Sequence, residues 1–187
     1  YLHLPLMDFR PYKIGNHLPT IMEDYEPDQF EYTYICAKDS VEQAFTAENY
    51  PDSTWTLVRY ESKLIKKGYE SPIHDFEIIN AEGEDLTWDI LESEEPVTLV
   101  VMYDLKKADK KQLAKVENLL GDEARFYILT GSGTDEIIHF ALEYPTLSDY
   151  ICTCDPVTLK TIVRANPGVV VVQNGIVIDK YNLRNRP

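Results

Sequence analysis

No run of about 18 consecutive apolar residues occurs in the 187-residue chain, so no part of it is predicted to cross a bilayer as a helix. Cysteine is scarce. Cys36, Cys152 and Cys154 are too few for a disulfide scaffold and lack the spacing of a four-ligand zinc site, and an odd number leaves at least one thiol unpaired within a monomer. Basic residues are in deficit: 18 Lys and Arg against 32 Asp and Glu give a formal net charge of −14. That field opposes phosphate backbones and anionic membranes, so nucleic acid is not an expected partner. The acidic residues are spread along the chain rather than gathered in a tail, as on a solubilising surface. The four histidines, His3, His17, His74 and His139, fall on different predicted elements and form no ligand pair, so neither a metal site nor a cofactor is expected. Gly131-Ser132-Gly133 lacks the lysine and spacing of a P-loop, and no nucleophile elbow is present. There is no start Met and no signal-peptide apolar core; the opening Tyr1-Leu2-His3-Leu4-Pro5-Leu6-Met7-Asp8-Phe9 reads as following an upstream portion of a longer chain.

What is present is a chain of 44% apolar residues, enough for one full domain with an appendage. Residues 1–28, with interspersed prolines, Gly15 and little periodicity, predict an extended leader. Residues 29–70 predict a small β-extension packed on the main domain. Within it, Phe30 to Ile35 and Val41 to Phe45 form a hairpin around Lys38-Asp39-Ser40, with a third strand over Thr54 to Tyr60. Residues 71–187 change to alternating strands and helices, the pattern of a layered α/β domain.

In that domain Phe76 to Asn80 predicts a short strand, and Val97 to Tyr103, a continuous apolar run between Pro96 and Asp104, a central strand covered on both faces. Asp109 stands three residues before Gln112 in capping-box spacing; Leu113, Val116, Leu119 and Leu120 share one helical face, and Gly121 is placed to stop that helix. A strand over Arg125 to Thr130 precedes a helix from an N-cap at Thr134 to Glu143. The last helix has Asp155 as its start and Pro156 in its first turn. Val169 to Gln173 and Ile176 to Lys180 then form a terminal hairpin across Asn174-Gly175, a pair that tolerates the positive φ of a type I′ turn.

Three segments resemble the thioredoxin fold, and its extracytoplasmic TlpA-like and peroxiredoxin-like branch in particular: Pro72-Ile73-His74-Asp75-Phe76, Leu99-Val100-Val101-Met102-Tyr103, and Asn166 through Gly175. The resemblance implies an α/β fold class with a thioredoxin-like central mixed sheet flanked by helices, an N-terminal β-hairpin extension, and a cis bond between Asn166 and Pro167 beside the active-site position. Where such domains carry Cys-x-x-Cys, this chain reads Lys107-Ala108-Asp109-Lys110. Asp8 to Gly15, Ile65 to Glu70, Tyr103 to Lys107 and Leu159 to Arg164 look like the soluble region that follows the helical bundle of DoxX-like bacterial membrane proteins. That likeness implies membrane helices upstream of Tyr1 and a periplasmic domain tethered to the inner membrane; it supplies no activity and leaves the oligomeric state open.

Two readings of the chemistry remain. Lys106, Lys107, Lys110 and Lys111 at a helix start read either as a solvated basic turn or as an anion site, with Asn166 and Pro167 completing a binding face. Cys152 and Cys154 face the same side of an extended segment and stand just before the helix start at Asp155, so they are the one candidate pair for thiol-disulfide chemistry. The other reading makes them small core residues. His74 beside Asp75 reads as a strand-edge polar pair or as half of an acid/base or metal pair. The 13 tyrosines with Trp55 and Trp88 are strand formers or a binding surface. The preferred reading is a non-catalytic interaction or accessory domain with a protein partner; the alternative is a thiol-disulfide oxidoreductase using Cys152 and Cys154.

Overall fold

The computed structural model describes residues 10–73, 75–122 and 125–185. Expectations that fall on Tyr1 to Phe9, including His3, and on His74 lie outside the described residues. The chain divides into two compact units, residues 24–71 and residues 10–23 with 72–185.

The first unit is a three-stranded antiparallel sheet of β1 (Gln29–Lys38), β2 (Val41–Phe45) and β3 (Thr56–Lys66), in the order β2-β1-β3. Asp39 and Ser40 turn the first hairpin with φ of 49° and 68°, a type I′-like geometry reached without glycine. The third strand starts two residues later than the reading and runs on to Lys66, because its ladder to β1 carries through a charged stretch that propensity alone discounts. One face bears Phe30, Tyr32, Tyr34 and Cys36 of β1 with Tyr60 and Leu64 opposite. The loop between β2 and β3 folds over one end of that face: Tyr50 meets Tyr34 and Trp55 meets Phe45, each edge-on at 5.1 Å, and Cys36 is buried. At the other end Phe30, Tyr32, Tyr60 and Leu64 are exposed.

The second unit is built on a five-stranded mixed sheet. Its strands are β4 (Val97–Val101), β5 (Phe126–Thr130), β6 (Ile151–Thr153), β7 (Gly168–Gln173) and β8 (Ile176–Asn182), ordered β6-β5-β4-β7-β8. The first three run parallel, and β7 and β8 antiparallel to their neighbours. Every residue of β4 is buried, as its unbroken apolar run requires of a strand covered on both sides. Alternation then assigns the layers. Val100, Met102, Ile128 and Val169 pack with Leu113 and Val116 of α3 (Lys110–Asp122) and Phe140 of α4 (Thr134–Glu143). Leu99, Val101, Leu129 and Val170 pack with Ile90 and Leu91 of α2 (Thr87–Leu91) and Leu159 and Ile162 of α5 (Pro156–Ile162).

Several local expectations change. Phe76 to Asn80 is no strand; Phe76 and Ile78 point inward, while Ile79 makes only single bridges to Asp85 and Thr153. The central strand stops at Val101, two residues early, although Met102 N–H still donates to Leu129 O at 2.8 Å. Gly133, not Thr134, is the N-cap of α4, and α3 passes through Gly121 to Asp122. The leader is not wholly extended: Gly15 N–H donates to Val177 O of β8 and Leu18 N–H to Gly175 O in the turn before it, and α1 (Leu18–Glu23) follows. The terminal hairpin forms as read, with φ of 48° at Asn174 and 72° at Gly175, and the Asn166–Pro167 bond is cis. Among the described residues no helix is long and apolar enough to cross a membrane.

Candidate functional site

Where β4 ends, Asp104 caps a single 3-10 turn over Leu105–Lys107, accepting from the Lys107 amide, and the Leu105 amide donates to Ser132 Oγ at 3.0 Å. The proline loop is tied to this turn from the other side. Asn166 Nδ2 donates to Asp104 O at 2.7 Å and the Asp109 amide to Asn166 O at 3.2 Å. The structure thus brings Lys107-Ala108-Asp109-Lys110 together with Asn166 and Pro167. The Asn166 Oδ1 and Gln112 Oε1 atoms are enclosed there without hydrogen-bond partners.

The lysines of this face are answered by carboxylates. Lys106 pairs with Glu136 at 2.8 Å, Lys107 with Asp104 at 2.6 Å and Lys110 with Glu143 at 2.6 Å; Arg184 holds Asp109 at 2.6 Å. The hydrogen bond from Lys107 lowers the Asp104 carboxyl below its ordinary range, and that from Arg184 does the same for Asp109. The three lysines are raised in turn by their carboxylate partners. Such exposed pairs add little stability. They do set the local potential, because an incoming anion has to compete with a carboxylate at Lys106, Lys107 and Lys110. Asp109 also uses the free amides of α3, its Oδ1 accepting from the Lys111 amide and its carbonyl from the Gln112 amide, so the capping is not the reciprocal box expected from the spacing.

Cys152 and Cys154 share a face as the alternation requires, but that face is the core, where both lie with Leu129, Leu159 and Ile162. They are 3% and 8% exposed, and both are free thiols. Burial pushes the Cys152 thiol up to about 11, with Glu82 adding to the rise. It pushes Cys154 up to about 12, where backbone hydrogen bonds at Asp155 and Glu77 lower the value less than burial raises it. The start of α5 cannot offset this, since Asp155 Oδ1 already accepts from the Val157 and Thr158 amides at 2.9 and 2.7 Å. Cys154 also lines a cavity of about 280 Å³ together with Thr130, Gly131, Ser132 and Asp155.

Three features had no signal in the sequence. Tyr12 is buried with its hydroxyl unpartnered, and its phenol is raised by burial and by the nearby Cys154 and Asp155. Lys180, also buried, reaches the Tyr12 carbonyl at 2.9 Å. A cavity of about 520 Å³ is lined by Arg10, Tyr103, Val157, Lys160, Thr161 and Arg164, with Lys160 Nζ 5.5 Å from the Tyr103 ring centre. Of the histidines, His17 Nδ1 meets Thr20 Oγ1 at 2.7 Å and His139 sits on α4; no cluster able to hold a metal ion occurs among the described residues.

A family model described as "Domain of unknown function (DUF8463)" matches residues 30–67, the three-stranded sheet. Curated proteins give no match. Among solved structures the chain is similar to reduced Prx3 from Vibrio vulnificus in complex with H2O2, at 8% identity and a TM-score of 0.41, over 58% of this chain and 83% of that one. It is similar to a thiol peroxidase from Chromobacterium violaceum at 10% identity and a TM-score of 0.40, over 60% and 76%. For Mycobacterium bovis AhpC the values are 9% and 0.36, over 95% and 82%. Likenesses of this size carry no argument, whereas the order β5-β4-β7-β8, the helical crossover between β4 and β5, and the cis-proline loop beside the start of α3 do. The unit of residues 10–23 and 72–185 has a thioredoxin-like mixed α/β fold, with Lys107-Ala108-Asp109-Lys110 where the resemblance places a dithiol.

Proposed function

We propose that the chain is a non-catalytic thioredoxin-like domain that binds a protein partner on its former active-site face. Helices upstream of Tyr1 hold it on the periplasmic side of the inner membrane, the arrangement that its DoxX-like segments imply. The observation that carries this reading is the replacement of the dithiol by ion-paired lysines while the unit's two thiols lie in the core. A fold does not bring its chemistry with it, and this one keeps the proline loop without the sulfur.

Insulin-disulfide reduction with dithiothreitol as the electron source tests the claim. Turnover with the chain should equal the buffer rate, and a Cys152→Ser/Cys154→Ser variant should not differ. A rate above buffer that this variant loses would make the protein a thiol-disulfide oxidoreductase instead.

A further inference from the structure

Among the described residues no strand pairs with the outer edge of β3. In the order β2-β1-β3 this strand closes the sheet, and all of Thr56–Lys66 is exposed. Such an edge offers a row of unpaired amides and carbonyls, which proteins ordinarily shorten, cover or interrupt. Here the ladder to β1 shifts register near each end of β3, and the stretch between, residues 59–64, is regular.

We infer that β3 pairs antiparallel with β3 of a second copy of this chain, about a two-fold axis through Ser62, giving a continuous six-stranded sheet. An axis normal to the sheet keeps each face on its own side, so only registers that place a residue of β3 on the axis are allowed, and the regular stretch leaves two near its centre. With Ser62 on the axis, Glu61 stands opposite Lys63 of the second copy and Tyr60 opposite Leu64 of the second copy, and each pair occurs twice. With Glu61 on the axis, Glu61 faces its own copy and Arg59 faces Lys63, so every charged contact is repulsive. Cross-strand pairs of opposite charge stabilise a sheet, and like charges directly opposite destabilise it.

The pairing also extends rows already present. Within one chain Glu31 lies opposite Lys63, Phe30 opposite Leu64 and Tyr34 opposite Tyr60. Across the axis these become a Glu31, Lys63, Glu61 row on one face and a Phe30, Leu64, Tyr60, Tyr34 row on the other. The exposed end of the aromatic face thereby doubles in length and becomes one apolar strip shared by both copies. Glu61 is accessible: its side chain is 67% exposed, and its ion pair to Arg59 is long at 3.8 Å.

Sedimentation velocity on the 187-residue chain at roughly 100 μM reads the association, and charge reversal reads the register. The wild-type chain should sediment as a dimer of the 21.6 kDa protomer. Glu61→Lys alone and Lys63→Glu alone should each weaken the dimer by at least about tenfold, since two attractive pairs become repulsive. Mixed one to one, the two variants should associate, because every cross-axis pair then joins a lysine to a glutamate. A monomeric wild-type chain, a dimer indifferent to both reversals, or single variants that stay apart on mixing would each overturn the pairing. Amide hydrogen exchange gives a second readout that needs no variant: protection of residues 59–65 should rise with protein concentration, and protection independent of concentration would count equally against it.

Discussion

Above pH 9 the folded chain is expected to lose stability steeply, by on the order of 4 kcal/mol by pH 11. The two core thiols carry the effect. Their ordinary value is 9.0, and burial raises Cys152 to about 11 and Cys154 to about 12. Below pH 9 both folded and unfolded chains hold these protons and the contribution is fully present. Between 9 and the raised values the unfolded chain releases protons that the folded chain retains, so the free energy of unfolding falls as pH rises. Tyr12, raised from 10 by the same burial, acts in the same direction. Urea denaturation at pH 8, 9.5 and 10.5 should show a falling midpoint, and Cys152→Ala/Cys154→Ala should flatten most of that fall. A midpoint constant to pH 10.5, or an unchanged slope in the double variant, would mean that the thiols are not held in the core.

Leu129→Ala should cost about 3 kcal/mol, a large part of the stability of a domain of this size. Leu129 is fully buried in β5, between Val101 of β4 and Cys152 of β6, and its side chain lies in one core cluster with Leu159 and Ile162 of α5, so truncation removes contacts on several sides. The vacancy would open beside Cys152, so alkylation of that thiol should accelerate as well. Leu142→Ala on α4, where the side chain is 77% exposed, should change stability by less than about 0.5 kcal/mol. Equal effects at the two positions would contradict the placement of β5 inside the sheet, between β4 and β6.

The features legible in the sequence are those whose cause is local. An unbroken apolar run bounded by Pro96 and Asp104 has few ways to fold other than as a doubly covered strand. Asp155-Pro156 starts α5 as its chemistry demands, the aspartate accepting two amides. Asn174-Gly175 takes the positive φ values that a two-residue hairpin needs. The features that were not legible depend on distant partners. Five-residue α2 is too short for a helical period to show, and its Ile90 and Leu91 are buried by packing against the sheet. Phe76 and Ile78 alternate inward like a strand, but the ladder beside them is limited to single bridges at Ile79. Gly133 takes the cap of α4 although Thr134 has the better capping side chain, because the helix begins one residue beyond it.

The candidate site divides in the same way. Spacing alone put Cys152 and Cys154 on one face, and only the tertiary fold shows that this face is covered by α5 and the leader. The lysine turn was legible as basic, whereas its neutralisation depends on Glu136 and Glu143 of α4 and on Asp104 of the turn itself. The thioredoxin-like fold therefore has its proline loop beside a lysine turn held in exposed ion pairs, while both thiols of the unit lie in the core.

The pH dependence of iodoacetamide alkylation, resolved by mass spectrometry at Cys152 and Cys154 in the folded chain, tests most directly whether the unit holds an activated thiol. Both thiols should stay unmodified at pH 8, where values of about 11 and about 12 leave less than about one part in a thousand as thiolate. Modification should set in only as the pH approaches those values. Rapid alkylation of either cysteine at pH 7 to 8, with an inflection below about 8, would instead reveal an activated thiol and contradict the account.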